Sequence, residues 1–391
     1  MHIAWLGKKS PFCGNVTYGR EVTNALLERG HHVSFLHFAQ EEPVAEMLPE
    51  ELQEVSIPCL YKSQIYTIPS PKASRVLSQA LRRLKPDVVH ASLTLSPLDF
   101  VLPEICEELN LPLVATFHPP FDRKRRNFTS GTQHLMYQLY APCLANYQRV
   151  IIFSEIQRDL LMRLGVPYDR LAVIPNGVDV EKYSPGLSRL KTELDARRLF
   201  VYQGRIATEK NVESLLKAWK QADMGDGSKL AIVGSGPLAH TLMPFYGSDL
   251  GIIWLGFIAD EQRRIEILRG ADVFILPSLV EGLSLSLLEA MACGAACLAT
   301  DAGADGEVLN DGAGIVLSTQ RVSTQLQTLL PLFRDHPELT TLLGRKARQR
   351  VLDRYTLTRN ITRLEDLYRD LLVKHRTYLS SSRLFGRDEA G

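Results

Sequence analysis

The sequence predicts two doubly wound α/β domains, each a parallel sheet covered by helices on both faces. Three observations point there. Short, near-continuous apolar runs alternate with helix-length amphipathic segments along the whole chain, the pattern of parallel strands joined by crossover helices. The 391 residues exceed one ordinary domain. The runs also fall into two sets, separated by a polar stretch, EKYSPGLSRLKTELDARR, that carries a Pro-Gly pair.

In chain order, the first set of predicted strands is HIAWLG (2–7), HVSFLHFA (32–39), DVVHASL (87–93), PLVATFH (112–118), RVIIFS (149–154) and LAVIPNG (171–177). The second is LFVYQG (199–204), KLAIVGSG (229–236), IIWLGF (252–257), DVFILPS (272–278), ACLATD (296–301) and GIVLS (314–318). Each set has about the count that one such sheet needs. The expected domains are therefore 1–180 and 181–355, followed by a helix and tail over 356–391. Period places Ile361, Leu364, Leu367 and Leu371 on one face of that last helix, which closes the second domain or crosses back to the first. Two Rossmann-like halves facing each other leave a central cleft at the carboxyl ends of their strands, where such sheets bind ligands.

Charge excludes one class of function. Lys+Arg 45 against Asp+Glu 44 leaves a net charge of +1, without the surplus of base that a general nucleic-acid binder needs. Cys13, Cys59, Cys106, Cys143, Cys293 and Cys297 are scattered, with no zinc or disulfide spacing, which suits a reducing compartment. The opening MHIAWLGKKS has its apolar run and lysines in the wrong order for a secretory signal. No run reaches the roughly 18 residues of a membrane span. A protein that is soluble or lies on a membrane surface is expected.

The stretch EGLSLSLLEAMACG (281–294) follows a strand and a short turn. Glu281 sits at the strand–helix junction. Ser284 and Leu285 begin a helix whose free N–H groups and dipole suit an anion. Glu289 is the only charge on an otherwise apolar helix and requires a partner, either a ligand's hydroxyls or neighbouring protein groups. GRIATEKN (204–211) puts Arg205 and Lys210 beyond another strand end. There they suit a diphosphate, or form a solvated surface pair with Glu209. In GSGP (234–237), Gly234 allows close approach of a ligand to the backbone or makes a plain turn. GKKSPFCGNVTYGR (7–20) reads as a loop with Gly14 and Gly19, and is not a dinucleotide fingerprint. His118 closes a strand at the cleft side, although a lone His is more often structural.

Taken together, EGLSLSLLEAMACG, GRIATEKN, GSGP, LGFI (255–258) and PNGVD (175–179) resemble the retaining GT-B glycosyltransferases of family four, whose E-x7-E signature matches Glu281 and Glu289. The resemblance covers nearly the whole chain. It implies that Glu281 holds hydroxyls of a donor sugar and Glu289 the nucleotide ribose. Arg205 and Lys210, with Gly204 beside them and the backbone of Ser284 and Leu285, would hold the diphosphate. The LGFI stretch, with Phe257 and Ile258, would pair its backbone with the base, which resembles the family's usual uracil pocket, and Gly234 would be a further donor-binding residue. His118 and the Gly14 loop would face the transferred sugar. Glu281, His118, Arg205 and Lys210 are the implied catalytic group. The chain departs from the family at Cys13-Gly14-Asn15, where two adjacent glycines are usual, at Ser284, where Gly is usual, and at Ala296-Cys297 for Pro-Val. No Asp-x-Asp pair appears, in keeping with a metal-independent reaction; no cofactor is implied, and the UDP-sugar is a substrate.

The segment FDRKRRNFTSGTQHLMYQLYAPCLANYQRV (121–150) clusters Arg123, Lys124, Arg125 and Arg126 before Phe128, Leu135, Met136, Tyr137, Leu139 and Tyr140. This suits a helix on an anionic membrane, and equally a core-facing helix after a solvated basic loop. The tail KHRTYLSSSRLFGR (374–387), with Tyr378, Leu379, Leu384 and Phe385, is open in the same way. The amino-terminal region resembles the cyanobacterial-type digalactosyldiacylglycerol synthases. That implies UDP-galactose as donor, the glycolipid monogalactosyldiacylglycerol as acceptor, and a peripheral place on the cytoplasmic face of a membrane, a photosynthetic one in that case. The alternatives are a family member acting on a soluble sugar or polysaccharide, and a non-catalytic nucleotide-sugar-binding module.

Overall fold

A computed structural model describes residues 1–10, 13–39, 52–63, 66–121 and 128–385. The chain divides into two compact units. One comprises Met1–Pro119, His134–Pro175 and the chain from Asn360 onward; the other comprises Pro120–Gln133 and Asn176–Arg359.

The first unit holds β1 (His2–Gly7), β2 (His32–Ala39), β3 (Leu52–Lys62), β4 (Thr67–Pro69), β5 (Val88–Ser92), β6 (Leu113–Thr116), β7 (Arg149–Ile152) and β8 (Leu171–Val173). Their order across the sheet is β4-β3-β2-β1-β5-β6-β7-β8, with only β4 antiparallel. From β1 the chain builds outward through β2 and β3, then returns to the other side of β1 with β5. The order therefore reverses between β1 and β5, where ligands of such sheets bind. The strands β3 and β4 were not among the predicted runs. The reason is physical: β3 carries Pro58, exposes Leu60 and Tyr61, and pairs at the sheet margin, so its apolar signal is diluted.

The second unit holds β9 (Arg198–Gln203), β10 (Ser228–Val233), β11 (Ile252–Gly256), β12 (Val273–Leu276), β13 (Ala296–Thr300) and β14 (Ile315–Leu317). The order β11-β10-β9-β12-β13-β14 is all parallel, with its reversal between β9 and β12. The central strands β12 and β13 are buried at every residue, as a sheet covered on both faces requires. All twelve predicted runs contain a strand.

Two helices differ from expectation. The loop expected over 7–20 is shorter, because a helix begins at Gly14 and runs to Glu28. Gly19 is thus a helical residue packed towards the Trp5 indole, not a loop glycine. The last helix, Leu357–Phe385, buries Ile361, Leu364, Tyr368 and Leu371; Leu367 is only half-buried. The inward stripe drifts to Tyr368 because the helical period exceeds the assumed spacing. The side chains of Tyr378, Leu379, Leu384 and Phe385 lie outside those described.

That last helix is fixed in the first unit by polar contacts. Glu365, buried, accepts hydrogen bonds from Arg29 Nη1 (2.8 Å) and His31 Nε2 (2.7 Å). Burial works to raise its pKa, but His31 and Arg29 outweigh it and hold the carboxyl below the ordinary glutamate range. The Tyr368 hydroxyl meets His90 Nδ1, and His90 Nε2 meets Thr116 Oγ1 at 2.7 Å. His90 lies within the apolar run of β5 and is fully buried, and burial pushes its pKa down to about 3, so it is neutral.

Replacing Glu365 with Ala is expected to destabilise the first unit by about 2 kcal/mol, the scale of hydrogen bonds to charged groups, measured as a shift in urea midpoint at pH 7. Because the folded pKa is depressed, the carboxylate's contribution is complete above the unfolded glutamate pKa and is lost as pH falls through the folded one. The wild-type and E365A midpoints should therefore converge in acid.

Candidate functional site

The second unit's site is built by two loops that the reversal point sets side by side. One follows β9, the other β12. Leu279 N donates to Glu209 O at 2.8 Å, and Asn211 Nδ2 donates to Pro277 O at 3.2 Å, so one backbone bond and one side-chain bond zip the loops together. Glu281, only 7% exposed, takes Lys210 Nζ at 2.5 Å and Ser278 Oγ at 2.8 Å on the same oxygen. Arg205 pairs with Glu209. The Tyr202 hydroxyl donates to Arg205 O at 2.8 Å and fixes the turn that carries the guanidinium.

The helix Leu285–Ala292 starts beside Glu281, with Ser284 as N-cap accepting from Leu287 N. Glu289, one turn in, accepts from Gln203 Nε2 at 3.1 Å, which links the helix to the end of β9. The structure thus brings Glu281, Lys210, Arg205, Ser284, Leu285 and Glu289 to one end of one sheet.

Several expected roles need correction. The Ser284 N–H is not open to an anion, because it donates to Asp305 Oδ1 at 2.9 Å; the first N–H groups without an intrahelical bond are those of Leu285 and Ser286. Gly234 also serves the chain's own packing. It has φ +129, and a Cβ there would lie 1.9 Å from Gly204 O, so the missing side chain admits the chain's own neighbouring loop. At Gly204 a Cβ would meet the Tyr202 hydroxyl at 2.8 Å. Phe257 is exposed beyond β11, and the Ile258 carbonyl accepts from Arg264 Nη1 at 2.9 Å. Arg123, Lys124, Arg125 and Arg126 lie outside the described residues.

In the first unit, His118 and the Gly14 loop meet at the carboxyl end of that sheet. His118 Nε2 contacts Ser92 Oγ at 2.8 Å, and Ser92 Oγ donates to Asn15 Oδ1 at 2.9 Å. Asn15 Nδ2 donates to Leu93 O, which sets the amide's orientation. With the serine proton committed to Asn15, His118 Nε2 is the donor and Nδ1 carries the lone pair. Burial, then the charge of Lys8, pushes the His118 pKa down to about 3, so the ring is neutral. Tyr18 meets its ring edge-on at 4.8 Å. Among the described residues, nothing lies within 4 Å of where a Cβ on Gly14 would sit, and Gly14 opens the helix on its exposed side.

Sequence reasoning did not find the residues that brace Glu281. Ala304 N donates to Gly282 O at 2.7 Å, and Asn176 Nδ2 donates to Leu283 O at 2.8 Å. Gly303, at φ +58, lies so close that a Cβ would fall 2.2 Å from Glu281 O. Asp305 is fully buried. Burial, then the charge of Glu281, raises its pKa well above the carboxylate range, while the Ser284 N–H and Lys210 pull the other way. Asn176 belongs to PNGVD, so its motif was visible and its role was not. Gly303 and Asp305 had only the turn-rich ATDAGADGE (299–307) as a signal.

Comparison with known proteins bears on this geometry. Residues 14–182 match the family described as Glycosyltransferase Family 4, and residues 188–350 match glycosyl transferases group 1. The chain is a glycosyltransferase. It is 26% identical over 348 residues to UDP-Gal:alpha-D-GlcNAc-diphosphoundecaprenol alpha-1,3-galactosyltransferase of Escherichia coli, covering 85% of this chain and 87% of that protein. Alpha-monoglucosyldiacylglycerol synthase of Streptococcus pneumoniae is 27% identical over 299 residues, 70% of this chain and 65% of that one. Among solved structures, sucrose-phosphate synthase from Thermosynechococcus elongatus superposes with a TM-score of 0.76 at 20% identity, over 95% of this chain and 99% of that one. This likeness shows the fold, which is GT-B.

Replacing Gly303 with Ala forces a side chain into the left-handed region and against Glu281 O. This glycosyltransferase is expected to lose more than ~1 kcal/mol of stability in its second unit, read from chemical denaturation. A neutral result would mean that this loop does not brace Glu281.

Proposed function

We propose that the protein is a retaining hexosyltransferase that moves galactose from UDP-galactose to monogalactosyldiacylglycerol, forming digalactosyldiacylglycerol. The observation that carries the donor half is the meeting of Glu281, Lys210, Arg205 and a helix start at the reversal point of the second sheet. Breaking a sugar–diphosphate bond leaves negative charge on the departing nucleoside diphosphate. Arg205 and Lys210 offer six or more N–H donors between them, and the open N–H groups of Leu285 and Ser286 add the helix dipole. This reading uses no metal ion and no cofactor. Glu281 holds donor-sugar hydroxyls, and Glu289 takes the ribose. The acceptor hydroxyl attacks the anomeric carbon on the face from which the phosphate leaves. The carbon–oxygen bond to phosphate breaks, and a phosphate oxygen receives the acceptor's proton, so configuration is retained.

Two kinds of support favour a lipid acceptor. The named relatives act on a diphosphoundecaprenol and make a glucosyldiacylglycerol. Among the described residues, no helix is long and apolar enough to cross a membrane. Yet the helix Phe128–Leu144 exposes Leu135 and Leu139, four apart on one face, at 65% and 62%. Phe100, also exposed, has its ring 4.9 Å from that of Tyr140 on the same helix, which extends the apolar surface. With the basic run 123–126 just ahead in sequence, this suits peripheral attachment to an anionic leaflet, on the cytoplasmic face of a photosynthetic membrane in this reading.

Liposomes containing monogalactosyldiacylglycerol, given UDP-galactose and the enzyme, should yield a digalactosyl lipid by mass spectrometry. Glu281→Ala should lower turnover by about a hundredfold or more, as loss of sugar positioning does. A product from UDP-glucose alone, or from a soluble sugar alone, would sink the galactolipid assignment; unchanged turnover in the variant would sink the site. In vesicle sedimentation, neutralising Arg123–Arg126 should weaken binding most at low salt, whereas the pair Leu135→Asp and Leu139→Asp should weaken it at every salt concentration.

A further inference from the structure

Asp305 stands out from the rest of the donor site because it is an acid placed where an anion is to be bound. Its carboxyl is 1% exposed and accepts the Ser284 N–H at 2.9 Å, at the start of the helix Leu285–Ala292. Among the described residues, that is the only hydrogen bond of its side chain. Its loop also grips the Glu281 loop twice more, through Ala304 N to Gly282 O and through the close approach of Gly303 to Glu281 O. Thr300 Oγ1 donates to Ser278 O at the loop's base. The loop after β13 is thus a continuous brace along residues 278–284, and Asp305 is its only ionisable contact with them.

We infer that Asp305 is a positioning residue that works as a neutral acid: it orients the helix start and the Glu281 loop for a nucleoside diphosphate, and does so without charge. This rests on the donor-binding reading above. A carboxylate at a helix N-terminus is favourable when nothing else is bound there. Beside a diphosphate it would compete for the same dipole and the same cations. The charged groups facing Asp305 make the same point. Glu281 comes from the loop after β12, and Lys210 from the loop after β9, but Lys210 is already held by Glu281. Asp301 sits on its own loop, next to Gly306. Burial and Glu281 both favour the protonated form, against the opposing pull of the Ser284 N–H and Lys210. A protonated carboxyl keeps a carbonyl oxygen for the Ser284 N–H, so the brace survives the loss of charge.

The test is calorimetric titration of the full chain with UDP at pH 7, which needs no acceptor. Asp305→Asn keeps shape and carbonyl and lacks charge, so it should bind UDP within about twofold of the wild type. Asp305→Ala loses the brace and should bind tenfold more weakly or worse, with Asp305→Ser as the second truncation should the alanine chain not fold. Titrations in two buffers of different ionisation enthalpy should give the same proton uptake for wild type and D305N, as a carboxyl uncharged before and after binding requires. If D305N binds as poorly as D305A, or its proton uptake differs from wild type by close to one, the neutral-acid role is wrong. If D305A and D305S bind like the wild type, the positioning role is wrong. Failure of the wild type itself to bind UDP would instead overturn the proposed function.

Discussion

A carboxylate as deeply buried as Glu281 is tolerable only with a cation and further hydrogen bonds, and the second unit is organised around supplying them. Lys210 and Ser278 share one of its oxygens. For Lys210 to reach, the loops after β9 and β12 must lie side by side, which only neighbouring parallel strands at an order reversal provide. The glycines follow from the same demand. The loops after β10 and β13 press in from either side, leaving no space for a Cβ at Gly234 against Gly204 O or at Gly303 against Glu281 O. Such a pair contributes less to net stability than to register, since a shift of either loop strands a charge. It also means that the site waits with its charges already matched. Arg205 and Lys210 are paired with carboxylates, so under the proposed function a diphosphate must redistribute partners rather than fill an electropositive hole.

The first unit solves a similar problem without charge. His90 sits in the centre of the sheet, kept neutral by burial and satisfied at both nitrogens by Tyr368 and Thr116. Thr116 Oγ1 lies 3.3 Å from the Tyr18 hydroxyl, and the Tyr18 ring borders His118. A polar thread therefore runs from the last helix to the neighbour of the candidate histidine, through groups that titrate far from neutral pH.

The fold was legible because burial on both faces writes itself into composition: β12 and β13 are apolar at nearly every position, and no helix-period pattern competes. β3 was not, since a strand with Pro58 and an exposed face loses that signature. The same rule hid His90, which reads as an interruption of DVVHASL until its partners are seen. In the site, Glu281 and Glu289 were visible because two acids in an apolar segment violate expectation. Asp305 was not, because an acid in a polar, glycine-rich segment with Asp301 and Glu307 looks like a turn, and its meaning comes only from β13 lying beside β12. Ser284 shows the limit from the other side. Its place at the helix start followed from the sequence, while the group that claims its N–H lay 21 residues further on.

The first unit is discontinuous in the chain, and its last component begins at Asn360. Tyr368 and Glu365, which satisfy His90, Arg29 and His31, come after every strand of both sheets in the chain. The second unit, apart from its short Pro120–Gln133 piece, is one uninterrupted stretch and has its whole sheet available earlier. Order of birth and order of completion are thus inverted: the amino-terminal sheet must wait, with His90 Nδ1 still lacking Tyr368, while the later-made domain matures.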